Sequence, residues 1–266
     1  MLKDKRDMKR LVIIPTYNEK ENIEAIILAV FALPVEFHVL VIDDGSPDGT
    51  AAIVKRMISE QKQERLFIVE RQGKLGLGTA YIAGFKWAIE HKYDYIFEMD
   101  ADFSHNPNDL VKLYEALSEG GADVAIGSRY VTGVNVVNWP MGRVLMSYFA
   151  SKYVRTVLGI DVHDTTAGFV GYKREVLETI ELDKIRFKGY AFQIEMKFTA
   201  IKCGFIVKEV PIIFVNRVLG TSKMSGGIFS EALLGVVKLK LSSWVRKYPK
   251  KGERQPLPSL PLKGQE

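Results

Sequence analysis

Strand-length apolar runs, each followed by apolar residues at helical spacing, dominate the first half of this chain and restrict it to one kind of fold. Residues 11–15 form such a run, after which Ile23, Ile26, Ile27 and Val30 recur every three or four positions. The unit repeats: 39–42 precedes a stripe of Ile53, Val54, Met57 and Ile58, and 66–69 precedes a helix over about 79–91. A further strand at 95–99 leads to a helix at 108–117, and 124–126 reads as the next strand. Strands alternating with helices require right-handed crossovers, so the spacing predicts an α/β fold whose mainly parallel sheet is flanked by helices on both faces. Ligands of such sheets sit at the carboxyl ends of the strands.

The segments at those ends share a character. They read Pro-Thr-Tyr-Asn-Glu at 15–19, Asp-Asp-Gly-Ser-Pro-Asp-Gly at 43–49, Arg-Gln-Gly-Lys-Leu-Gly-Leu-Gly at 71–78, Asp-Ala-Asp at 100–102 and Gly-Ser-Arg-Tyr at 127–130. Every one is polar, charged or glycine-rich, and their convergence on one rim describes an acidic metal site beside a phosphate and sugar pocket. Asp100 and Asp102 carry the metal reading. Side chains two apart on an extended segment point the same way, so two carboxylates can share one hard divalent cation, Mg2+ or Mn2+, and present it to a phosphate. A solvated acidic turn at the strand end is the plainer alternative for this pair taken alone.

Composition removes several classes of function. The chain has 266 residues, is 47% hydrophobic and carries a net charge of only +5, with basic and acidic residues interspersed. No basic stripe, helix-turn-helix signature or zinc spacing points to nucleic acid. A single cysteine, Cys203, excludes an internal disulfide framework and fits a reducing compartment; by itself it reads as a small buried apolar residue. The charged start, 1–10, has no apolar core of a secretory signal, and no stretch reaches the roughly 18 apolar residues of a spanning helix.

The second half departs from the strand–helix rhythm. Residues 139–160 are helical in period but mix Trp139, Met141, Leu145, Met146, Tyr148 and Phe149 with Arg143, Lys152 and Arg155, and 228–248 repeats that character with Trp244 beside Lys238, Lys240, Arg246 and Lys247. Basic amphipathic helices either pack on a sheet or lie in a membrane interface. A domain over 1–226, an amphipathic element over 227–248 and a disordered polar tail over 249–266 follow from this division.

Taken together, the motifs resemble the dolichol-phosphate mannosyltransferases, a branch of the inverting family 2 glycosyltransferases with the GT-A fold, in which a Rossmann-like sheet carries the site. The resemblance runs from Lys9 to about Ser225. It includes the rim segments above, Met-Asp-Ala-Asp at 99–102 with His105 and Pro107, Gly-Tyr-Ala-Phe-Gln-Ile-Glu-Met at 189–196, and Arg217 with Lys223 in the segment 215–223. It implies transfer of mannose from GDP-mannose to a polyprenyl or dolichyl phosphate, giving a β-linked phosphosugar. Pro15, Tyr17 and Glu19 would line the nucleotide pocket, with Ile42 and Asp44 beside base and ribose. Asp100, Ala101 and Asp102 would hold metal and diphosphate, and Arg129, Arg217 and Lys223 would meet the phosphates. It further implies a short form without C-terminal membrane helices, located in the cytoplasm and peripheral to the cytoplasmic face of a membrane, either directly or through an integral partner. Two positions depart from the pattern: Ser104 stands where some relatives carry Gln, a further metal ligand, and Val170 where many carry Arg.

The chemistry of the residues agrees with that implication. Glycosyl transfer requires stabilisation of a leaving diphosphate, and an acceptor phosphate is mostly dianionic at neutral pH, so no protein base is needed. His105, beside Asn106 and Pro107, reads as a loop-capping residue. Rival readings are a UDP-sugar-dependent polyprenyl-phosphate glucosyltransferase, a non-catalytic sugar-nucleotide-binding module at a membrane, and a phospho-receiver domain suggested by Asp43, Asp44 and Asp100; the length of the chain argues against the last.

Overall fold

A computed structural model describes residues 8–60, 64–216 and 228–255. The first half alternates as its apolar spacing predicts: β1 (Arg10–Thr16), α1 (Ile23–Phe31), β2 (His38–Asp43), α2 (Thr50–Glu60), β3 (Leu66–Glu70), α3 (Leu77–Glu90), β4 (Tyr95–Glu98), α4 (Asp109–Ser118) and β5 (Val124–Ser128). Then come β6 (Val136–Val137), α5 (Met141–Leu158), β7 (Val170–Lys173), α6 (Arg174–Thr179), α7 (Tyr190–Lys202), β8 (Val207–Pro211), β9 (Phe214–Val215) and α8 (Ile228–Ser242).

Seven strands make one sheet in the order β3-β2-β1-β4-β7-β5-β8, and β6 pairs with β9 in a separate parallel ribbon. The large sheet is parallel except for β7, which runs antiparallel between β4 and β5. Alternate residues of each strand feed opposite cores. Leu11, Ile13, Leu40 and Ile42 join residues of α3, α5, α7 and α8 on one face. Val12, Ile14, Val39 and Val41 join α1, α2 and α4 on the other. Burial on both faces explains why these strands read as continuous apolar runs rather than as alternating ones.

β7 escaped the sequence reading because it is short and contains Gly171. That glycine is a packing requirement: a Cβ there would stand 2.7 Å from the Phe97 ring and 3.0 Å from Leu117. Gly171→Ala should therefore cost about 1–3 kcal/mol through overpacking of a closed core. Urea unfolding measures it; a loss below the error of that measurement would mean that Phe97 can turn aside.

α5 begins after Pro140 and stops at Gly159, whose φ of 69° only glycine adopts without strain. α8 buries Val236 and Leu239 in the same core as the sheet, and its Gly235 faces the Phe187 ring closely enough that a Cβ would lie 2.6 Å from it. The opposite sides stay bare: Met141, Leu145, Met146 and Phe149 on α5, and Leu234, Val237, Leu241 and, just beyond the helix, Trp244.

The polar tail that composition marks as structureless begins instead, over 249–255, as a strap. The Lys251 amide donates to the Cys203 carbonyl at 2.9 Å, its ammonium to Asp123 at 2.7 Å, and the Gln255 amide to the Glu178 carbonyl at 2.9 Å. Specific backbone and charge partners hold a segment whose composition offers no apolar anchor. The remainder of the tail, 256–266, lies outside the described residues. Cys203 is free and buried, as its composition-level reading expects.

Candidate active site

The carboxyl ends of β1, β2, β3, β4 and β5 come together on one rim, and buried carboxylates knit their loops. Asp43, at the end of β2, accepts from the Thr16 hydroxyl at 2.8 Å and from the Ser46 amide and hydroxyl at 2.9 and 2.6 Å. Asp48 caps α2 through the Thr50 amide and also receives the Lys20 amide. A Cβ on Gly45, at φ 69°, would meet Gly73 and the Arg71 carbonyl at 3.2–3.3 Å, so a glycine lets the second and third loops touch.

Within this frame the expected nucleotide residues separate into two groups. Pro15, within β1, and Tyr17, just past its end, are half-buried, with the Lys74 ammonium 5.3 Å from the centre of the Tyr17 ring. Glu19 turns its carboxylate to the Asn22 amide at 3.1 Å and its backbone amide to Thr50. Ile42 is different: its side chain is wholly buried in the core with Leu11, Ile13 and Leu40, so a side-chain contact with base or ribose is not available to it. Asp44 is paired with Arg71, Nε to carboxylate 2.9 Å, and both are nearly buried. Burial raises the pKa of Asp44 and Arg71 partly offsets this. Arg71 also donates to the Thr79 hydroxyl at 2.8 Å, which ties the loop after β3 to the start of α3.

Asp100 and Asp102 leave β4 on a turn in which Phe103 has φ 59°, a left-handed conformation costly for an aromatic residue. Asp100 is half-buried and Asp102 is 6% exposed. Ser104 holds Asp102 with both groups, its amide at 3.0 Å and its hydroxyl in a shorter contact. The Ser hydroxyl that departs from the Gln of some relatives is thus committed to orienting Asp102. Among the described residues no cluster of three or more His, Cys, Asp or Glu side chains could hold a metal. Two carboxylates with water and diphosphate oxygens completing the shell is nevertheless the donor set that a hard divalent cation such as Mg2+ accepts, so the residues present fit one.

His105 is not a capping residue at a loop surface. Its ring stacks on Phe169 at 4.9 Å, meets Phe214 edge-on at 5.3 Å, and leaves a buried Nδ1 without a hydrogen-bond partner. Burial pulls its pKa down to about 4 against the attraction of Asp102, so the imidazole is neutral at physiological pH.

Arg129, after β5, is 8% exposed and is gripped by Asp164: the Arg129 amide, Nε and one terminal nitrogen donate at 3.0, 2.6 and 2.6 Å. The same terminal nitrogen reaches Thr166 at 3.0 Å, and the rings of Tyr130, Trp139 and Phe214 surround the guanidinium at 5.3–5.6 Å. Burial pushes the Asp164 carboxyl up, but Arg129 overrides it and the net pKa is lowered. A second cation, Arg143 of α5, stacks on Trp139 at 4.0 Å and donates to Asn216 at 3.2 Å. Arg217 and Lys223 lie outside the described residues.

Beneath the rim sits a buried polar chain. Glu98, with no exposure, receives hydrogen bonds from the Tyr172 hydroxyl at 3.3 Å and from the Gln193 side-chain amide. Lys197, equally buried, donates to the Ala167 carbonyl at 2.7 Å and to the carbonyl and side-chain oxygen of Gln193 at 3.3 Å. Burial takes the Glu98 pKa up to about 8 and that of Lys197 down to about 8. Sequence reasoning passed over Glu98, Lys197 and Asp164, and named Arg143 only as part of a basic helix. The signal for the first two was a charge inside an apolar stretch, Tyr-Ile-Phe-Glu-Met at 95–99 and Ile-Glu-Met-Lys-Phe at 194–198.

A Rossmann-like sheet with a paired-carboxylate turn at its topological centre and cations across the rim defines a nucleotide-sugar transferase of the GT-A kind. The chain belongs to glycosyl transferase family 2, whose model matches residues 11–181. It is 48% identical over 230 residues to the polyprenol monophosphomannose synthase of Mycolicibacterium smegmatis, covering 86% of each chain. It is 45% identical over 236 residues to the undecaprenyl-phosphate mannosyltransferase of Micrococcus luteus, covering 89% of this chain and 96% of that one. Among solved structures it superposes on a mannosyltransferase from Pyrobaculum calidifontis in complex with GDP-Man and Mn2+, with a TM-score of 0.58 and 19% identity, covering 92% of this chain and 67% of that one.

Proposed function

We propose that this enzyme transfers mannose from GDP-mannose to a polyprenyl phosphate with inversion, releasing GDP and a β-mannosyl phosphate lipid. The observation that carries the reading is the Asp100–Asp102 turn beyond β4, on the same rim as the buried Arg129, in a chain close to half identical along most of its length to relatives named for that reaction. When bound, a divalent cation supplies Lewis-acid stabilisation of the leaving diphosphate. Asp100 and Asp102 would hold it, and the orientation of Asp102 is set by Ser104. Asp44 and Arg71 side by side offer an acceptor and a donor to one base edge; guanine, which presents N–H donors beside its O6 and N7 acceptors, matches both. Pro15, Tyr17 and Glu19 would flank the nucleoside. Arg129, held by Asp164 at the end of β5, and Arg143 would supply the fixed positive charge that an acceptor phosphate needs, and Arg217 and Lys223 would complete that field. The acceptor phosphate attacks as a dianion, so the neutral, ring-packed His105 need move no proton.

A radiolabelled assay crossing GDP-mannose, GDP-glucose and UDP-glucose with dolichyl and undecaprenyl phosphate, in Mg2+ or Mn2+, tests this directly. Product only with GDP-mannose and a polyprenyl phosphate is the expected outcome; turnover of UDP-glucose alone would replace the donor, and no transfer to any lipid phosphate would remove the reading.

An acceptor with its tail in lipid brings the site to a membrane surface, and no helix among the described residues is long and apolar enough to cross one. The bare sides of α5 and α8 suit interfacial contact from the cytoplasmic side, without or with an integral partner. Lys240 does not belong to this contact, because its ammonium caps α5 at the Leu158 carbonyl, 3.0 Å away. Trp244→Ala with Lys238→Glu and Lys247→Glu should release the protein from anionic vesicles in flotation at low salt, where the wild type floats. Equal flotation of both would assign the contact elsewhere.

A further inference from the structure

Burying an ammonium is expensive even when it is well hydrogen-bonded, and a chain with only packing to gain would place a methionine at position 197. Lys197 is instead fully buried and spends its donors on neutral oxygens: the Ala167 carbonyl, the Gln193 carbonyl and the Gln193 side-chain oxygen. Its position in the fold suggests a reason. Ala167 belongs to the segment between Asp164 and Phe169, which Arg129 also grips at Asp164 and Thr166. Gln193 turns its amide nitrogen to Glu98, the last residue of β4, two positions before Asp100. Glu98 is further fixed by the Tyr172 hydroxyl of β7. One amide therefore faces the strand that delivers the metal-binding carboxylates and, through Lys197, the loop that borders Arg129.

We propose that Lys197 is a positioning residue: it sets the 164–168 loop, on the acceptor side of the site, at a fixed distance from the carboxylates carried by β4. Arg129 and Glu209 hold the start of the loop at Asp164 and Ser151 meets it at Thr165, while at its far end Ala167, its methyl group in the core, takes the Lys197 ammonium at its carbonyl. Remove the ammonium and the Ala167 carbonyl loses its partner, while Gln193 keeps Glu98. The donor half of the site then stays intact and the acceptor half loses its register. Misplacement of a bound reactant by about 1 Å lowers a rate by about 100-fold. This rests on the acceptor reading of the loop made above.

Three proteins separate this role from that of a plain internal ion pair: Lys197→Met, Glu98→Gln, and the double variant Glu98→Gln with Lys197→Met, which is neutral throughout and keeps an amide for Gln193 and Tyr172. Each is assayed as purified full chain with GDP-mannose, undecaprenyl phosphate in detergent and Mn2+, alongside calorimetric titration of GDP with Mn2+ and thermal melting. Lys197→Met should lose about 100-fold in kcat or raise the acceptor KM several-fold, with Mn2+-dependent GDP affinity unchanged within about twofold. The double variant should melt near the wild type and remain slow. Recovery of wild-type kcat in the double variant would reduce Lys197 to charge compensation for Glu98 and overturn the proposal. So would a Lys197→Met protein with wild-type kcat and wild-type acceptor KM, or one that loses GDP affinity in step with kcat. Failure of the functional reading is visible separately, as absence of transfer by the wild type.

Discussion

Replacing Asp102 by Asn should lower kcat by about 1,000-fold, because charge neutralisation at the departing diphosphate is the main electrostatic demand of the reaction. The substitution is unusually clean in this fold. The Ser104 amide and hydroxyl both donate to one carboxylate oxygen of Asp102, and the carbonyl oxygen of an asparagine accepts the same two bonds. The turn at Phe103, already in a left-handed conformation, therefore keeps its support. What disappears is one negative charge, the one that would face a bound cation. Metal-free stability should match the wild type in thermal melting, while the Mn2+ concentration needed for half-maximal activity should rise at least tenfold. A variant that turns over near the wild-type rate in the presence of EDTA would show that this carboxylate does not hold the cation, and the paired-carboxylate reading would fall with it.

The legible part of the structure was the part governed by periodicity. β1 to β5 and their helices announce themselves because a parallel strand covered on both faces is a solid apolar run, and because α1 to α4 repeat their buried residues at helical spacing. The rim followed from that, since strand ends are fixed once strands are. Beyond β5 the signal fades. β7 is four residues with a glycine in it, β6 and β9 are two residues each, and β8 reads Val-Lys-Glu-Val-Pro, with no fully buried residue to give it a period. Such strands exist because neighbours pair with them, which is information at long range.

The site divides in the same way. Asp100 and Asp102 are two apart in sequence, on the turn that leaves β4, so two letters sufficed to suggest them. Asp164 and Arg129 are 35 residues apart, and Lys197 and Ala167 are 30 apart. No local pattern joins them. Ile42 shows what a motif leaves open: alternation along β2 sends its side chain into the core beside Leu40, so only its backbone remains to lie beside a ligand. The basic helices were half legible, because composition identified them as amphipathic but could not tell which of their lysines were used internally, as Lys240 is at the end of α5.

Asp164→Asn should be the most destabilising single substitution in the site, at about 3–5 kcal/mol, the cost of removing one partner from a buried ion pair. Asp164 has no solvent exposure, and Arg129 gives it three hydrogen bonds from backbone and side chain. An asparagine offers one acceptor oxygen for a fork that expects two and leaves the guanidinium uncompensated among Tyr130, Trp139 and Phe214. The effect has a pH signature. The folded-state pKa of Asp164 is depressed by Arg129, so more protons bind the unfolded chain as pH falls, and the stabilisation is fully present above the ordinary aspartate pKa near 3.9. It is lost as pH drops through the lower folded value. Urea unfolding of wild type and variant should accordingly differ by a constant amount from about pH 7 down to about pH 5 and converge below about pH 4. A gap that persists undiminished at the acid end would mean that the asparagine acts through packing rather than charge, and that Arg129 has another anion to turn to.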